Sequence, residues 1–275
     1  MAQFLMAQMA LEGTPYTKSH EINNTVDKII LDEIPLEKLL IEDENREPGT
    51  PFRYGFIHET DFNVYNSGKW TELDDGSKIW QIYFQSSGAY SMSIEYENFF
   101  IPEGGELYIY DPSYKAIHGA YTSLNNSEDG FFSTPHVEGD EIMIEYYQSK
   151  EVIGKLNLQI SEIIHDYIDI INYSNNNRDW ECGVNVICET EEYYQGPINS
   201  VAFLDMGGFI CSGAMVNNVR QDLTPYFLTA WHCTDGENPS TFRFYFNKMA
   251  SSCENTWGSL GAYAFGSDLV ADSDG

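Results

Sequence analysis

The sequence predicts a mostly β protein of two domains, and three observations carry that reading. Aromatic residues fill 15% of the 275 positions, with 19 Tyr and 16 Phe, and turns bearing Gly, Asn or Asp are frequent, which favours strands over helices. Between residues 52 and 171, short runs alternate apolar and polar side chains. All five cysteines fall between Cys182 and Cys253 and none lies in the first 181 residues, so the chain changes character there. Its length and its 42% hydrophobic content are enough to build two cores.

In chain order, residues 1–51 read as an N-terminal extension. Met1 to Ala10 is faintly apolar but has no basic leading segment and is too short and broken to span a membrane; it reads as the remnant of a trimmed export signal or as ordinary sequence. The stretch that follows is polar and acidic. One short helix is expected in Pro35-Leu36-Glu37-Lys38-Leu39-Leu40-Ile41-Glu42-Asp43, where a proline in the first turn precedes apolar residues at helical spacing, and Pro48-Gly49-Thr50-Pro51 breaks it.

Residues 52–171 read as a β-sandwich. Lys78 to Phe84, Tyr90 to Tyr96, Glu106 to Tyr110 and Glu141 to Tyr146 are its clearest strands, and their period of two predicts one buried and one wet face on each. Asp74-Asp75-Gly76, Glu103-Gly104-Gly105 and Glu138-Gly139-Asp140 supply turns. No catalytic constellation is visible in this region. His118 and His136, near its middle, are expected to be satisfied surface or turn residues rather than ligands. Residues 172–181 are polar and Asn-rich and read as a linker; an exposed linker is where proteases cut, so Arg178 is a candidate processing site.

Charge narrows the function. With 43 acidic against 14 basic residues the net charge is −29, a surface that repels nucleic acid. Residues 182–275 carry 11 acidic and 3 basic side chains, so the excess is spread along the chain and fits a solvated surface. No Cys-x-x-Cys pair occurs, and the cysteine spacing fits neither a zinc ribbon nor a finger. Neither metal nor cofactor is expected, and disulfides in an exported protein account for the cysteines more simply.

The chemistry is expected at Pro225-Tyr226-Phe227-Leu228-Thr229-Ala230-Trp231-His232-Cys233, a β-prone run that stops at a histidine followed directly by a cysteine. A lone histidine behind an apolar run is usually structural. Here its flanks matter. Upstream lie Cys182-Gly183-Val184-Asn185-Val186-Ile187-Cys188, then Asn199-Ser200-Val201-Ala202-Phe203-Leu204, then Gly208-Phe209-Ile210-Cys211-Ser212-Gly213-Ala214; downstream lie Phe242-Arg243-Phe244-Tyr245-Phe246-Asn247 and Ser252-Cys253. In this order, from Cys182 to the end, the segments resemble the opening strands of the protease domain of bacterial lysyl endopeptidases, within the trypsin-like serine proteases. Gly68-Lys69-Trp70, Asp75 to Trp80, Leu107 to Pro112 and Thr134 to Asp140 resemble the β-sandwich pro-region that precedes that domain in such precursors.

The resemblance implies an all-β chain: a β-sandwich pro-region, then the first, incomplete barrel of a trypsin-like double β-barrel in residues 182–275. It makes His232 the general base that takes a proton from a serine hydroxyl, with a buried aspartate holding the ring in the right tautomer. It pairs Cys211 with Cys233 and Cys188 with Cys253, and leaves Cys182 without its partner. Five cysteines permit several pairings, and spacing does not choose among them. Trp231 departs from the superfamily pattern, which more often has a small or polar residue there. Ser212 is a decoy nucleophile, since no Gly-x-Ser-x-Gly frame surrounds it. Asp268, Asp272 and Asp274 crowd the C-terminus, but no apolar strand follows them, so the triad aspartate and serine are expected beyond Gly275 and these 275 residues alone are expected to be inactive.

Protein or peptide substrates, cleavage after lysine, and export to the medium or cell surface are what the family implies, with the pro-region packing on or shielding the protease domain. Two rival readings are a secreted adhesion module fused to a pseudoprotease, and an inhibitor or folding-chaperone role for the first 171 residues.

Overall fold

The computed structural model describes residues 10–22, 25–172, 186–188, 194–250, 252–253, 258, 260–261 and 263–272. These are mostly β-strand with a few short helices, in open sheets. The strands are β1 (Lys28–Ile30), β2 (Phe52–Arg53), β3 (Gly55–Asn63), β4 (Lys69–Glu72), β5 (Lys78–Gln85), β6 (Ser91–Phe100), β7 (Gly105–Tyr110), β8 (Ile117–Tyr121), β9 (Phe132–Ser133), β10 (Val137–Glu138), β11 (Glu141–Gln148), β12 (Asn157–Asp166), β13 (Val201–Asp205), β14 (Phe209–Val216), β15 (Tyr226–Thr229), β16 (Arg243–Phe246) and β17 (Tyr263–Phe265). The helices are α1 (Tyr16–Ser19), α2 (Leu36–Glu44) and α3 (Gln195–Ser200).

The first sheet has the order β1-β5-β11-β7-β8, with β4 also on β5; only β1 runs parallel to its neighbour. The second has the order β10-β6-β12-β3, with β9 on β6. Both line one apolar core: Trp80, Phe84, Ile109 and Ile144 come from the first sheet, and Met92, Ile94, Ile160 and Ile163 from the second. The period-two runs place these side chains on one face of each strand, and their burial is the main stabilising term of this half.

The outer face of the first sheet is not wet along its middle, contrary to the reading from alternation. Gln81 and Glu145 are buried there. The Glu145 carboxylate accepts from the Thr17 amide at 3.0 Å, Gln81 Nε2 at 3.1 Å and the Tyr110 hydroxyl at 2.9 Å, and from the Thr17 hydroxyl. Thr17 belongs to α1, so the N-terminal segment lies over this face and supplies hydrogen bonds that water would otherwise make. Gly13 lets that segment lie close, since a Cβ there would be 2.4 Å from the Tyr108 hydroxyl and the ring would have to shift.

Helix α2 forms at the predicted place, with Pro35 as its N-cap and Leu39 as its buried residue. Arg53 ties its C-terminal half down, donating to the Leu39 carbonyl at 3.0 Å, Asp43 at 2.9 Å and Glu42 at 3.0 Å. The chain then turns through Gly49, whose φ of 89° favours glycine, and enters β2.

The third sheet has the order β15-β14-β13-β16-β17, and β2 adds to β14 through Arg53 opposite Phe209 and Phe52 opposite Ile210. It therefore contains residues from both ends of the chain. Its own apolar cluster holds Ala202, Leu204, Met206, Cys233, Phe242 and Phe244. Phe265 of β17 packs instead into the core shared by the first two sheets, edge-on to Phe132 at 4.7 Å.

Two buried histidines join the first two sheets at one end. Ser86, just after β5, has its hydroxyl 2.7 Å from His165 Nδ1 and 3.2 Å from His58 Nε2. Burial pushes both imidazoles down; His165, also repelled by His58, falls to about 4. A folded state that holds these rings neutral is fully stabilised above the ordinary histidine pKa of about 6.5 and loses that stability as pH falls towards 4. Thermal unfolding midpoints should therefore drop over that interval, and H165Q should flatten the drop; an unchanged slope would refute the assignment.

Candidate active site

The neighbourhood of His232 is built by β14, β15 and the turn after them. β15 pairs antiparallel with β14 through Thr229 opposite Gly213 and Leu228 opposite Ala214. Gly213 permits the close approach, because a Cβ there would lie 2.4 Å from the Leu228 carbonyl oxygen and from the Phe227 ring. The Thr229 hydroxyl donates to the Ser212 carbonyl at 2.9 Å, closing the end of the ladder. Ala230 stays extended, and Trp231–Cys233 then form one 3-10 turn, in which the Cys233 amide donates to the Ala230 carbonyl at 3.0 Å.

Cys233 points inward and is 2% exposed, whereas the adjacent His232 and Trp231 are exposed. A disulfide joins Cys233 to Cys211 of β14, with Cα atoms 6.2 Å apart. Closing a loop of this length contributes about 3 kcal/mol in the chain-entropy model. The buried sulfur thus anchors the turn, and the ring beside it faces solvent from a fixed backbone. Bonding atoms of Cys211, His232 and Cys233 lie within 4.8 Å of one another, but the two sulfurs are spent on each other and offer no thiolate to a metal. The second disulfide joins Cys188 to Cys253, with Cα atoms 5.1 Å apart.

Among the described residues no side chain hydrogen-bonds the His232 ring. Ser212 is exposed in the middle of β14, opposite Phe203 of β13, on no sharp turn. Asp268 and Asp272 are exposed in the coil after β17. Cys182, Arg178 and Asp274 lie outside the described residues, as does most of the expected linker.

The expected surface position of His136 is corrected. His136 is 6% exposed and is no surface residue: its Nε2 lies 2.8 Å from Asp205 and its Nδ1 lies 3.2 Å from the Ser91 hydroxyl. His118 is half-buried and donates through Nε2 to the His136 carbonyl at 3.2 Å. The His136 ring sits where the second sheet meets the third, and both of its buried nitrogens have a partner.

Ser91, His136 and Asp205 stand in the order of a catalytic triad but cannot act as one. All three are buried, and Ser91 donates its hydroxyl proton to Asp166 at 2.8 Å rather than to the imidazole. Asp205 also accepts two hydrogen bonds from Arg243, at 2.8 and 3.0 Å, and one from the Tyr54 hydroxyl at 2.7 Å. Burial alone would push the Asp205 carboxyl up; Arg243 and then His136 outweigh it and hold the group well below the usual carboxylate range. The signal in the sequence was Arg243 itself, a cation inside the aromatic strand Phe242-Arg243-Phe244-Tyr245-Phe246, where an unpaired charge is very costly.

Apart from β2, the third sheet and its histidine turn fall within residues 176–273, which match the family model described as lysyl endopeptidase, C-terminal domain. This part of the chain is similar to that domain. No solved structure matches the chain. The match supports a peptidase-related protein, and the two disulfides of the matched region fit an oxidising compartment. No described helix is long and apolar enough to cross a membrane.

Proposed function

We propose that the chain is part of the precursor of a secreted serine endopeptidase that cleaves after lysine through an acyl-enzyme. The observation that carries this reading is the exposed His232 beside a buried, disulfide-linked Cys233, inside a region matched by the lysyl endopeptidase model. An imidazole held by its backbone and open to solvent can take the proton of a hydroxyl as that oxygen attacks a peptide carbonyl, and later return it to the leaving amine. In this reading residues 182–275 supply the first barrel of a trypsin-like domain, the serine and aspartate come from further sequence, residues 52–171 are a β-sandwich pro-region seated on that domain, and maturation cuts near Arg178. Trp231, the residue before the base, is 43% exposed, and in this reading it shapes the approach of substrate to the imidazole.

The test is a peptide panel presented to the full-length protein, with and without an aryl phosphonate probe that phosphonylates an activated serine, releasing its phenol. Cleavage confined to bonds after lysine, abolished by the probe with one label per chain, is the expected result. No cleavage of any peptide, or cleavage that the probe leaves intact, would sink the proposal.

A further inference from the structure

The described residues form two parts, 10–172 and 186–272, and both disulfides lie within the second. No described covalent link other than the chain itself therefore joins them. What does join them is a junction with charges at its centre. Arg243 and Asp205, each fully buried, belong to β16 and β13 of the second part. Apart from the Gly207 amide of the second part, which donates to Asp205 at 3.1 Å, the partners of that pair come from the first: the Tyr54 hydroxyl on Asp205, His136 on Asp205, the Thr134 carbonyl accepting from Arg243 at 3.1 Å, and Glu95 Oε1 at 3.5 Å from the guanidinium. β2 adds its strand to β14, and Phe265 crosses into the opposite core. At the turn between β13 and β14 the fit is close, since a Cβ on Gly207 would meet Glu95 Oε1 at 2.5 Å.

We infer that this junction is a docking surface on which residues 10–172 stay bound as a non-covalent partner when the connecting chain is cut, and from which they are released as the pH rises. Separation breaks the β2–β14 pairing, exposes Phe265 and removes the crossing hydrogen bonds to Asp205 and Arg243, which opposes release; rehydration of the uncovered ion pair offsets part of that. The charge balance supplies the pH dependence. Arg243 neutralises Asp205 through two hydrogen bonds and makes none to Glu95 Oε1, so the Glu95 carboxylate is the second negative group around one guanidinium. Facing it are Arg243, Asp205 and Thr241 from the second part and Glu162 from β12 beside it. Burial, only partly offset by Arg243 and reinforced by Glu162, raises the Glu95 carboxyl to about 7. Once undocked and solvated, the same group has an ordinary carboxylate pKa. Docking therefore takes up a proton, and affinity is greatest below about pH 4.5 and declines as pH rises through 7.

This inference does not rest on the peptidase reading, and an inactive protein would show it equally. The test is the full chain with a site-specific protease sequence replacing residues 174–179, cut after folding and passed over a sizing column at micromolar concentration. The two pieces should elute together at pH 5, and their dissociation constant should rise by roughly tenfold or more between pH 5 and 7. E95Q, which keeps a neutral group of the same shape, should remain docked at both values with most of that slope gone. H136A, which changes only the first part, should speed separation at pH 5. Pieces that part immediately at pH 5, an E95Q slope equal to that of the wild type, or separation unaffected by H136A would each overturn the inference.

Discussion

His232→Ala in the full-length protein is expected to lower kcat/KM for lysyl peptides by on the order of 10^4- to 10^6-fold while leaving the fold intact. The size follows from the proposed role as general base. Without the imidazole the attacking hydroxyl keeps its proton at neutral pH, and only binding and oxyanion stabilisation remain to speed the reaction. The harmlessness to the fold follows from position: the ring is exposed, no described side chain hydrogen-bonds it, and the anchor of its turn is the neighbouring Cys233. An exposed substitution of this kind changes stability by about 0.5 kcal/mol or less. The variant should unfold at the wild-type temperature. Activity within tenfold of the wild type would remove His232 from the mechanism.

Arg243→Met is expected to have the largest effect on stability, a loss of about 3 to 5 kcal/mol, equivalent to a fall of roughly 10 °C or more in Tm. Methionine fits among the aromatic neighbours of β16, so the cost is electrostatic rather than a matter of volume. Asp205 would keep a buried negative charge without its two strongest donors, and the Thr134 carbonyl would lose the one from Arg243. A second substitution tests the cause. If the stranded charge is responsible, Asp205→Asn added to Arg243→Met should recover part of the loss; a double variant that is additive, or worse, would place the cost elsewhere.

Much of the chain was legible because its signals are local. The runs Lys78 to Phe84 and Glu141 to Tyr146 alternate in a way that neighbouring residues alone can display, and they form β5 and β11. The helix after Pro35 is of the same kind. The outer face of β11 misled for a physical reason: Glu145 is polar as a wet position should be, yet it meets Thr17, 128 residues away, and no pattern within the strand reports that partner. His136 misled in the same way, since its burial depends on Asp205 from another sheet.

The sequence by itself determined the strands, the short helix, the acidic surface and the placing of a histidine against a cysteine at a strand end, because each depends on adjacent residues or on composition. Only the tertiary structure decided that β2 joins the third sheet, that the N-terminal segment covers the first, and that Tyr54, Ser91, Glu95, His136, Asp205 and Arg243 meet out of water. Those choices turn on the cost of burying a charge, which is met only where chain closure brings distant donors and acceptors together.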